Sequence, residues 1–342
     1  MNPAHAAPSP DDLRDRLGRP LSDLRLSVTD RCNFRCRYCM PRERFGSEHT
    51  FLSRSEVLSF EEIVRLVRIL GPDLAKLRLT GGEPLLRKGL STLVELLRRE
   101  TGVTIALTTN GLLLPAQAPA LAAAGLTRVT VSLDAIDPVV FARMTDADCA
   151  PADVMAGIES AARAGLPVKI NCVIRRGINE SEIVPLARHF YGTGHTLRFI
   201  EYMDVGSTNG WASDQVVSAQ EILERIDRAL PLEPLGREQS SDVAMRYRFK
   251  DGGGELGVIA SVSRPFCGDC SRLRLSADGQ LFTCLFATHG TDVRTLLRSG
   301  ANDAELRQVV ERVWRERSDR YSEQRQALIM PRRKPEMSYL GG

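Results

Sequence analysis

The sequence predicts an α/β protein: a partial (β/α)6 barrel of the TIM type, with a C-terminal α+β extension that caps the open end of the barrel. Two observations predict this fold class. Strand-like and helix-like segments alternate between residues 24 and 230, which is typical of a parallel sheet covered by helices. After residue 235 the alternation gives way to Gly-containing hairpins followed by helices. At roughly 150 residues per domain, the chain is long enough for two domains.

The predicted strands and helices follow one another in chain order. The first helix begins at a capping box, in which Ser59 precedes Glu62 by three residues. The strands are predicted at 24–29, 76–80, 103–109, 128–134, 168–174 and 196–202. The helices are predicted at 59–70, 89–100, 115–124, 152–164, 181–191 and 218–230.

Four of these strands alternate polar and apolar residues, although parallel strands covered on both faces are usually apolar throughout. Because the apolar face can pack under the helices, we expect the polar face to line the interior. Unpaired cations there would cost several kcal/mol each, so the pattern predicts a wet interior that binds an anion. A half-exposed antiparallel sheet would alternate in the same way, and the intervening helices argue against it. The polar positions are Arg25, Ser27, Thr29, Lys76, Arg78, Thr80, Thr130, Ser132, Asp134, Lys169 and Asn171.

The C-terminal region is predicted to contain hairpins at 244–262 and 272–284, then helices near 292–299 and 303–318. It ends in a basic tail with the sequence SYLGG. We therefore expect three regions along the chain. They are a flexible N-terminal arm (1–20), the barrel (21–235) and a C-terminal domain with a Gly-Gly tail (236–342).

Composition excludes several classes of protein. The hydrophobic fraction of 43% and charged fraction of 26% are those of a soluble globular protein. No apolar run is long enough to span a membrane, and the N-terminus lacks the basic and apolar segments of a secretory signal. A net charge of +3 gives no argument for binding nucleic acid or an anionic membrane. These features predict a cytoplasmic protein.

Three cysteines, Cys32, Cys36 and Cys39, lie in the segment DRCNFRCRYCM just after the first predicted strand. Three thiolates without a nearby His suit a four-iron four-sulfur cluster that leaves one iron open. A zinc site completed by a distant ligand is the alternative. The position matters because barrel enzymes carry their chemistry at the carboxyl ends of the strands.

A second group of cysteines, Cys267, Cys270 and Cys284, has the spacing C-x2-C-x13-C and again lacks an obvious fourth ligand. His289 could complete a zinc site there. Cys149 and Cys172 stand alone, and we expect them to be buried, inert thiols.

Small polar motifs end the second, third and fourth predicted strands: LTGGEP (79–84), TTNG (108–111) and SLD (132–134). Glycines allow close backbone approach, and the carboxylate of Glu83 can accept a hydrogen bond from an ammonium group. Each motif is weak alone. Together they predict a ligand site, because consecutive parallel strands end at the same edge.

The cysteine motif after the first strand and GGEP after the second resemble the radical S-adenosylmethionine (SAM) superfamily. The resemblance implies that Cys32, Cys36 and Cys39 hold a 4Fe-4S cluster whose open iron binds SAM. One electron then cleaves SAM to a 5′-deoxyadenosyl radical. The cofactor-binding residues implied are Tyr38, Gly81, Gly82, Glu83, Thr109, Asn110, Ser132 and Met203.

The segments RFIEYMDVG, PFCGDCSRLRLSADG and the final GG extend the resemblance over roughly residues 20–342 to the GTP 3′,8-cyclase family. These lyases catalyse the first step of molybdenum cofactor biosynthesis. By this resemblance Cys267, Cys270 and Cys284 hold a second 4Fe-4S cluster, which faces the purine of GTP. The substrate-binding residues implied are Arg25, Lys76, Arg78, Lys169, Arg198, Arg272 and Arg274. The catalytic residues implied are Arg25, Arg272, Arg274, Gly341 and Gly342.

The implied reaction abstracts the ribose 3′ hydrogen of GTP and joins C3′ to guanine C8, giving 3′,8-cyclo-7,8-dihydro-GTP. The implied partners are an electron donor such as flavodoxin or ferredoxin and the downstream cyclic pyranopterin monophosphate synthase. We expect a monomer or homodimer that binds neither nucleic acid nor membranes.

Three alternatives stay open on the sequence alone. A radical enzyme that modifies a peptide or RNA would show no preference for GTP. A two-cluster electron carrier would not need the motifs at the strand ends. A zinc-binding nucleic-acid module conflicts with the near-neutral charge.

Overall fold

The computed structural model describes residues 13–325 and 333–341. Its centre is a run of six parallel strands that are neighbours in chain order. All six predicted strands are confirmed to within two residues at each end. They are β1 (Asp23–Ser27), β2 (Lys76–Thr80), β3 (Thr104–Thr109), β4 (Arg128–Ser132), β5 (Val168–Ile174) and β6 (Thr196–Glu201).

Helices connect these strands, and the six predicted helices are present. The capping box at Ser59 is confirmed: its side chain accepts from the Glu62 amide, and the Glu62 carboxylate accepts from the Ser59 amide. One further helix, α4, was not predicted; it begins after Asp137, whose side chain accepts from the first-turn amides. The helices are α1 (Phe60–Leu70), α2 (Leu90–Thr101), α3 (Leu114–Ala123), α4 (Pro138–Thr145), α5 (Pro151–Arg163), α6 (Ile183–Phe190) and α7 (Ala219–Ala229).

The C-terminal part adds short strands and helices. Both predicted hairpins are confirmed, as β8 pairs with β9 and β10 pairs with β11 in antiparallel fashion. The strands are β7 (Leu232–Gly236), β8 (Met245–Phe249), β9 (Glu255–Ile259), β10 (Arg272–Leu275), β11 (Gln280–Phe282) and β12 (Thr291–Asp292). The helices are α8 (Arg294–Arg298), α9 (Asp303–Arg315), α10 (Tyr321–Gln324) and α11 (Met337–Leu340).

The two hairpins extend the central sheet at its two edges. Strand β9 pairs in parallel with β6, and β10 pairs in parallel with β1. The order across the sheet is β12-β11-β10-β1-β2-β3-β4-β5-β6-β9-β8-β7. The predicted partial barrel is therefore confirmed, with β12 and β7 at its open edges in the described part of the chain. The division into domains at residue 235 stays a prediction, since β7 runs across it.

The flexible arm over residues 1–20 stays a prediction, although residues 13–20 pack against the rest of the chain. Leu13 and Arg19 are 3% and 2% exposed, and the side chain of Asp15 is fully buried. The Arg19 guanidinium donates to Asp15 over 2.6 Å, and this pair packs against the C-terminal part of the chain. This segment is rich in charged and turn residues, and it is held in place by hydrogen bonds to residues about 300 positions away in the chain. Residues 1–12 lie outside the described residues.

The core lies between the helices and the apolar face of the strands. Leu24, Leu26, Leu77, Leu79 and other apolar strand residues are completely buried there. Of the lone cysteines, Cys172 is buried in this core as expected, whereas Cys149 is only half-buried. None of the helices in the described ranges has the length and apolar character to cross a bilayer.

Candidate active site

One cavity inside the barrel brings together most of the predicted site residues. Both cysteine groups line it, together with the motifs at the strand ends and most of the predicted arginines. Lys76, Lys169 and Gly341 do not line it, and Gly342 lies outside the described residues. The predicted residues that line the cavity are Arg25, Cys32, Cys36, Tyr38, Cys39, Arg78, Gly81, Gly82, Glu83, Thr109, Asn110, Ser132, Arg198, Met203, Cys267, Cys270, Arg272, Arg274 and Cys284.

Cys32, Cys36 and Cys39, the first cysteine triad, lie on the loop that follows β1. A turn folds the loop back, since the Cys39 amide donates to the Cys36 carbonyl over 2.9 Å. Burial, then the neighbouring Cys32 and Cys39 thiols, raise the pKa of Cys36 well above its usual value. Burial likewise raises the pKa of Cys32 to about 11. Thiols held together in this way suit a cationic metal centre that binds deprotonated sulfur.

The GGEP loop after β2 packs directly against the backbone of the first triad's loop. The Gly82 amide donates to the Thr29 carbonyl over 2.8 Å, and the Glu83 amide donates to the Arg31 carbonyl over 2.7 Å. A Cβ atom on Gly81 or Gly82 would overlap these same carbonyl oxygens. The glycines are therefore required by close approach of two loops, in addition to any approach of a ligand.

Glu83 joins the GGEP loop to the end of β3. Its carboxylate accepts from the Thr109 hydroxyl over 2.7 Å, from the Asn110 amide over 2.7 Å and from the Leu85 amide over 3.0 Å. Burial raises the pKa of Glu83 to about 7, against these hydrogen bonds. The side chain of Asn110 reaches the first triad's loop, where it donates to Asn33 over 2.8 Å. Glu83 thus holds the GGEP loop and the end of β3 together at the edge of the cavity.

Tyr38 and Asp134 form a second link across the cavity. The tyrosine hydroxyl donates to the Asp134 carboxylate over 2.8 Å, and the other oxygen of Asp134 accepts from the Val173 amide over 2.8 Å. Burial raises the pKa of Asp134 to about 6. Ser132, two residues earlier, also lines the cavity.

Cys267, Cys270 and Cys284 form the second cysteine triad, which is surrounded by arginines. Arg272 donates to the Cys270 sulfur from Nε over 3.2 Å and from Nη2 over 3.1 Å. Burial opposes ionisation of Cys270, yet Arg272 and Arg317 lower its pKa to about 6. This thiolate is a ready metal ligand.

The backbone beside the second triad is held by two buried guanidinium groups. Arg19 donates to the Cys267 carbonyl over 2.8 Å, and Arg317 donates to the Cys270 carbonyl over 2.6 Å. Asp15 binds both arginines. The segment at residues 13–20 is therefore part of the scaffold of this site.

Within residues 13–325 and 333–341, no group of three or more His, Cys, Asp or Glu side chains is placed to hold a single metal ion. In a four-iron cluster each cysteine binds a different iron, so its ligands do not converge on one point. The soft sulfur donors of both triads fit such a cluster by their chemistry.

The cations of the inner face repel one another. Burial lowers the pKa of Arg274 to about 9, and the neighbouring cations Arg25 and Arg272 contribute to the shift. Burial likewise lowers the pKa of Lys169 to about 8, with a further contribution from the neighbouring Arg198 and Arg128. These shifts indicate a concentration of positive charge on the inner face of the barrel.

Lys76 and Lys169 lie near the amino ends of their strands, beyond the cavity lining. Lys76 pairs with Asp23 over 2.6 Å. Burial favours the neutral carboxyl, but Arg25 and Lys76 lower the pKa of Asp23 to about 2.

The C-terminal tail reaches the cation cluster. The Gly341 carbonyl accepts a hydrogen bond from Arg274, and a Cβ on Gly341 would overlap the Thr80 side chain. Gly341 has φ = +73°, a conformation that favours glycine.

Glu336 anchors this tail to the loop after β6. Its carboxylate accepts from the Ser207 amide and from the Thr208 hydroxyl, each over 3.0 Å. The backbone of Ser338, two residues later, lies near the Cys39 thiol.

Sequence reasoning missed Glu336 and the Asp15–Arg19–Arg317 group as parts of the site, and it named Asp134 only within the polar strand face and the SLD motif. Asp134 carried a signal, since it stands on the polar face of a strand. The others gave none, because their roles depend on contacts over 47 to 302 positions of the chain.

The fold and the cavity define a radical SAM enzyme, and comparison with known families agrees. Residues 26–190 match the radical SAM superfamily, and residues 195–323 match the family described as Molybdenum Cofactor Synthesis C. The fold is also similar to the crystal structure of Streptococcus suis SuiB bound to S-adenosylmethionine. That likeness has a TM-score of 0.61 at 13% identity, and covers 85% of this chain and 68% of SuiB.

Curated relatives identify the family within this class. The chain is 51% identical to the GTP 3′,8-cyclase of Acidothermus cellulolyticus and 50% identical to that of Xanthomonas axonopodis pv. citri. Each alignment covers 96% of this chain and 99% of the relative. The chain belongs to the GTP 3′,8-cyclase family.

Proposed function

We propose that this protein converts GTP into 3′,8-cyclo-7,8-dihydro-GTP, the first step of molybdenum cofactor biosynthesis. One observation carries the proposal beyond the family relationship. Both cysteine triads line a single cavity whose inner face also presents Arg25, Arg78, Arg198 and Arg274. A cavity with two sulfur donor sets and a concentrated positive charge suits an anionic nucleotide next to metal clusters.

The cysteines divide between two clusters in this proposal. Cys32, Cys36 and Cys39 hold the 4Fe-4S cluster that binds SAM, and Cys267, Cys270 and Cys284 hold a second 4Fe-4S cluster beside the substrate. When bound, the first cluster and SAM supply the 5′-deoxyadenosyl radical that removes the 3′ hydrogen of GTP.

Residues at the strand ends position the cofactor in the same proposal. Glu83 and Tyr38 are fixed by hydrogen bonds to Thr109 and Asp134, and they support a rim that also includes Asn110, Ser132 and Met203. Preorganised polar groups of this kind orient a ligand at little further cost in entropy.

The arginines neutralise and orient the triphosphate. A triphosphate carries about four negative charges, and guanidinium groups match phosphate oxygens in pairs. Binding such an anion would offset the burial and the repulsion from neighbouring cations that together lower the pKa of Lys169 and Arg274. Lys76 and Arg272 complete the set. Lys76 is already paired with Asp23, and Arg272 with Cys270. Contacts within the protein therefore hold both cations in position.

The tail closes the reaction space in this proposal. Gly341 lies against Thr80 and Arg274, where a larger residue would overlap Thr80, and Gly342 follows it. Excluding water protects a reactive carbon radical from side reactions.

The remaining partners belong to the same proposal. The enzyme would receive electrons from a flavodoxin or ferredoxin and pass its product to cyclic pyranopterin monophosphate synthase. We place it in the cytoplasm as a monomer or homodimer.

The decisive assay uses protein reconstituted anaerobically with iron and sulfide, then incubated with SAM, a reductant and either GTP or ATP. We expect 5′-deoxyadenosine together with a cyclised nucleotide from GTP alone. Release of 5′-deoxyadenosine with no cyclised GTP would refute the substrate assignment while keeping the class of enzyme.

A further inference from the structure

Arg128 belongs to a row of arginines that crosses the inner face of the sheet. Strand pairing aligns Arg274 on β10 with Arg25 on β1, and Arg25 with Arg78 on β2. It then aligns Arg78 with Ala106 on β3, and Ala106 with Arg128 on β4. Residues paired in this way present their side chains on the same face of a sheet. The small, fully buried Ala106 leaves space between the two arginines beside it.

The charge of Arg128 is poorly compensated in the free protein. Its Nε atom is buried and has no hydrogen-bond partner within the described part of the chain. Burial is the main cause that lowers the pKa of Arg78, Lys169 and Arg198, and Arg128 is among the neighbouring cations that lower it further. A partly buried cation surrounded by like charges is electrostatically unfavourable, so a site of this kind is suited to binding an anion.

We propose that Arg128 is a further substrate-binding residue, which binds the phosphate chain of the nucleotide. The inference rests on the proposed function, because it requires a nucleoside triphosphate in the cavity. Arg128 begins β4 and Lys169 is the second residue of β5, so both lie near the amino ends of their strands. The SAM motifs follow the carboxyl ends. In this inference the phosphate chain points away from the first triad and extends beyond the residues that line the cavity, so that its terminal phosphates lie between Arg128 and Lys169.

The test compares binding of GTP, guanosine and inorganic triphosphate to the anaerobically reconstituted protein. Arg128→Ala is expected to weaken binding of GTP and of inorganic triphosphate about tenfold or more, since one charge-assisted phosphate contact is lost. Guanosine binding should not change. The affinity of Arg128→Lys for GTP should lie between those of the wild-type protein and Arg128→Ala, because lysine keeps the charge but lacks the planar guanidinium group. The matched control is Arg163→Ala, which removes an exposed arginine on α5.

Thermal unfolding without nucleotide separates this role from a structural one. Removing a cation from a group of like charges should leave the melting temperature unchanged or higher, whereas losing a structural contact would lower it. Arg128→Met keeps the aliphatic stem and serves if the alanine variant folds poorly.

Two results would overturn the assignment of Arg128 alone. One is GTP binding by Arg128→Ala equal to that of Arg163→Ala. The other is an equal loss of GTP and guanosine binding together with a lower melting temperature. If the wild-type protein itself binds GTP no better than guanosine, the proposed function fails together with this inference.

Discussion

The carbonyl of Gly341 accepts a hydrogen bond from the guanidinium of Arg274, although the two residues stand 67 positions apart in the chain. Arg274 is buried among Arg25 and Arg272, so Gly341 lies beside the cation cluster. This contact supports the proposed role of the tail in closing the reaction space.

Gly341→Ala should lower formation of cyclised GTP by about 100-fold, because small misplacements near reacting groups cost that much. The added methyl group would overlap Thr80, and φ = +73° is unfavourable for alanine. Product is measured by chromatography, with iron content as the control for intact clusters. Adding Thr80→Ser removes the overlapping methyl and should restore part of the activity. An unimpaired Gly341→Ala enzyme would contradict the role of the tail.

Glu336→Ala should lower the same rate about tenfold, since two hydrogen bonds that hold the tail are lost. Iron content should be unchanged. Glu316→Ala, which removes an exposed carboxylate after α9, is the matched control. Equal rates for the two variants would show that Glu336 does not position the tail.

Arg19→Ala should reduce the iron content of the reconstituted protein towards half. The Arg19 guanidinium donates to the Cys267 carbonyl beside the second triad, and its other recorded hydrogen bonds go to Asp15 and Asp319. Asp15→Asn should also lower the iron content, because Asp15 binds both Arg19 and Arg317. Arg16→Ala removes an exposed neighbour and should retain full iron content. Full iron in Arg19→Ala would refute this supporting role.

GTP binding should take up protons above pH 8. The pKa of Lys169 is about 8 in the free protein, and a bound triphosphate raises it towards the usual 10.5. Between these values the free lysine is mostly neutral and the bound lysine is charged, so affinity should fall by up to tenfold per pH unit. Calorimetry at pH 9 in two buffers of different ionisation enthalpy measures the uptake. Lys169→Met should remove most of it, and proton release on binding would contradict the prediction.

Much of the fold and site could be predicted because the information is local. The strands, the capping box at Ser59 and the cysteine spacing are each contained in a short segment. The motifs at the strand ends could be placed together, since consecutive parallel strands end at one edge.

What could not be predicted depends on distant contacts. The order of residues 13–20 requires Arg317, and the tail requires the loop at Ser207 and Thr208. Arg128 was missed because it begins its strand, where the alternation was followed only from Thr130 onward. Its importance becomes visible through the strand register, which a single segment does not contain.

The central claim is abstraction of the ribose 3′ hydrogen of GTP, and isotope transfer tests it most directly. The reconstituted enzyme is incubated anaerobically with SAM, reductant and GTP deuterated at C3′, and 5′-deoxyadenosine is examined by mass spectrometry. We expect one deuterium in 5′-deoxyadenosine together with cyclised nucleotide. Unlabelled 5′-deoxyadenosine formed alongside recovered, fully deuterated GTP would contradict it.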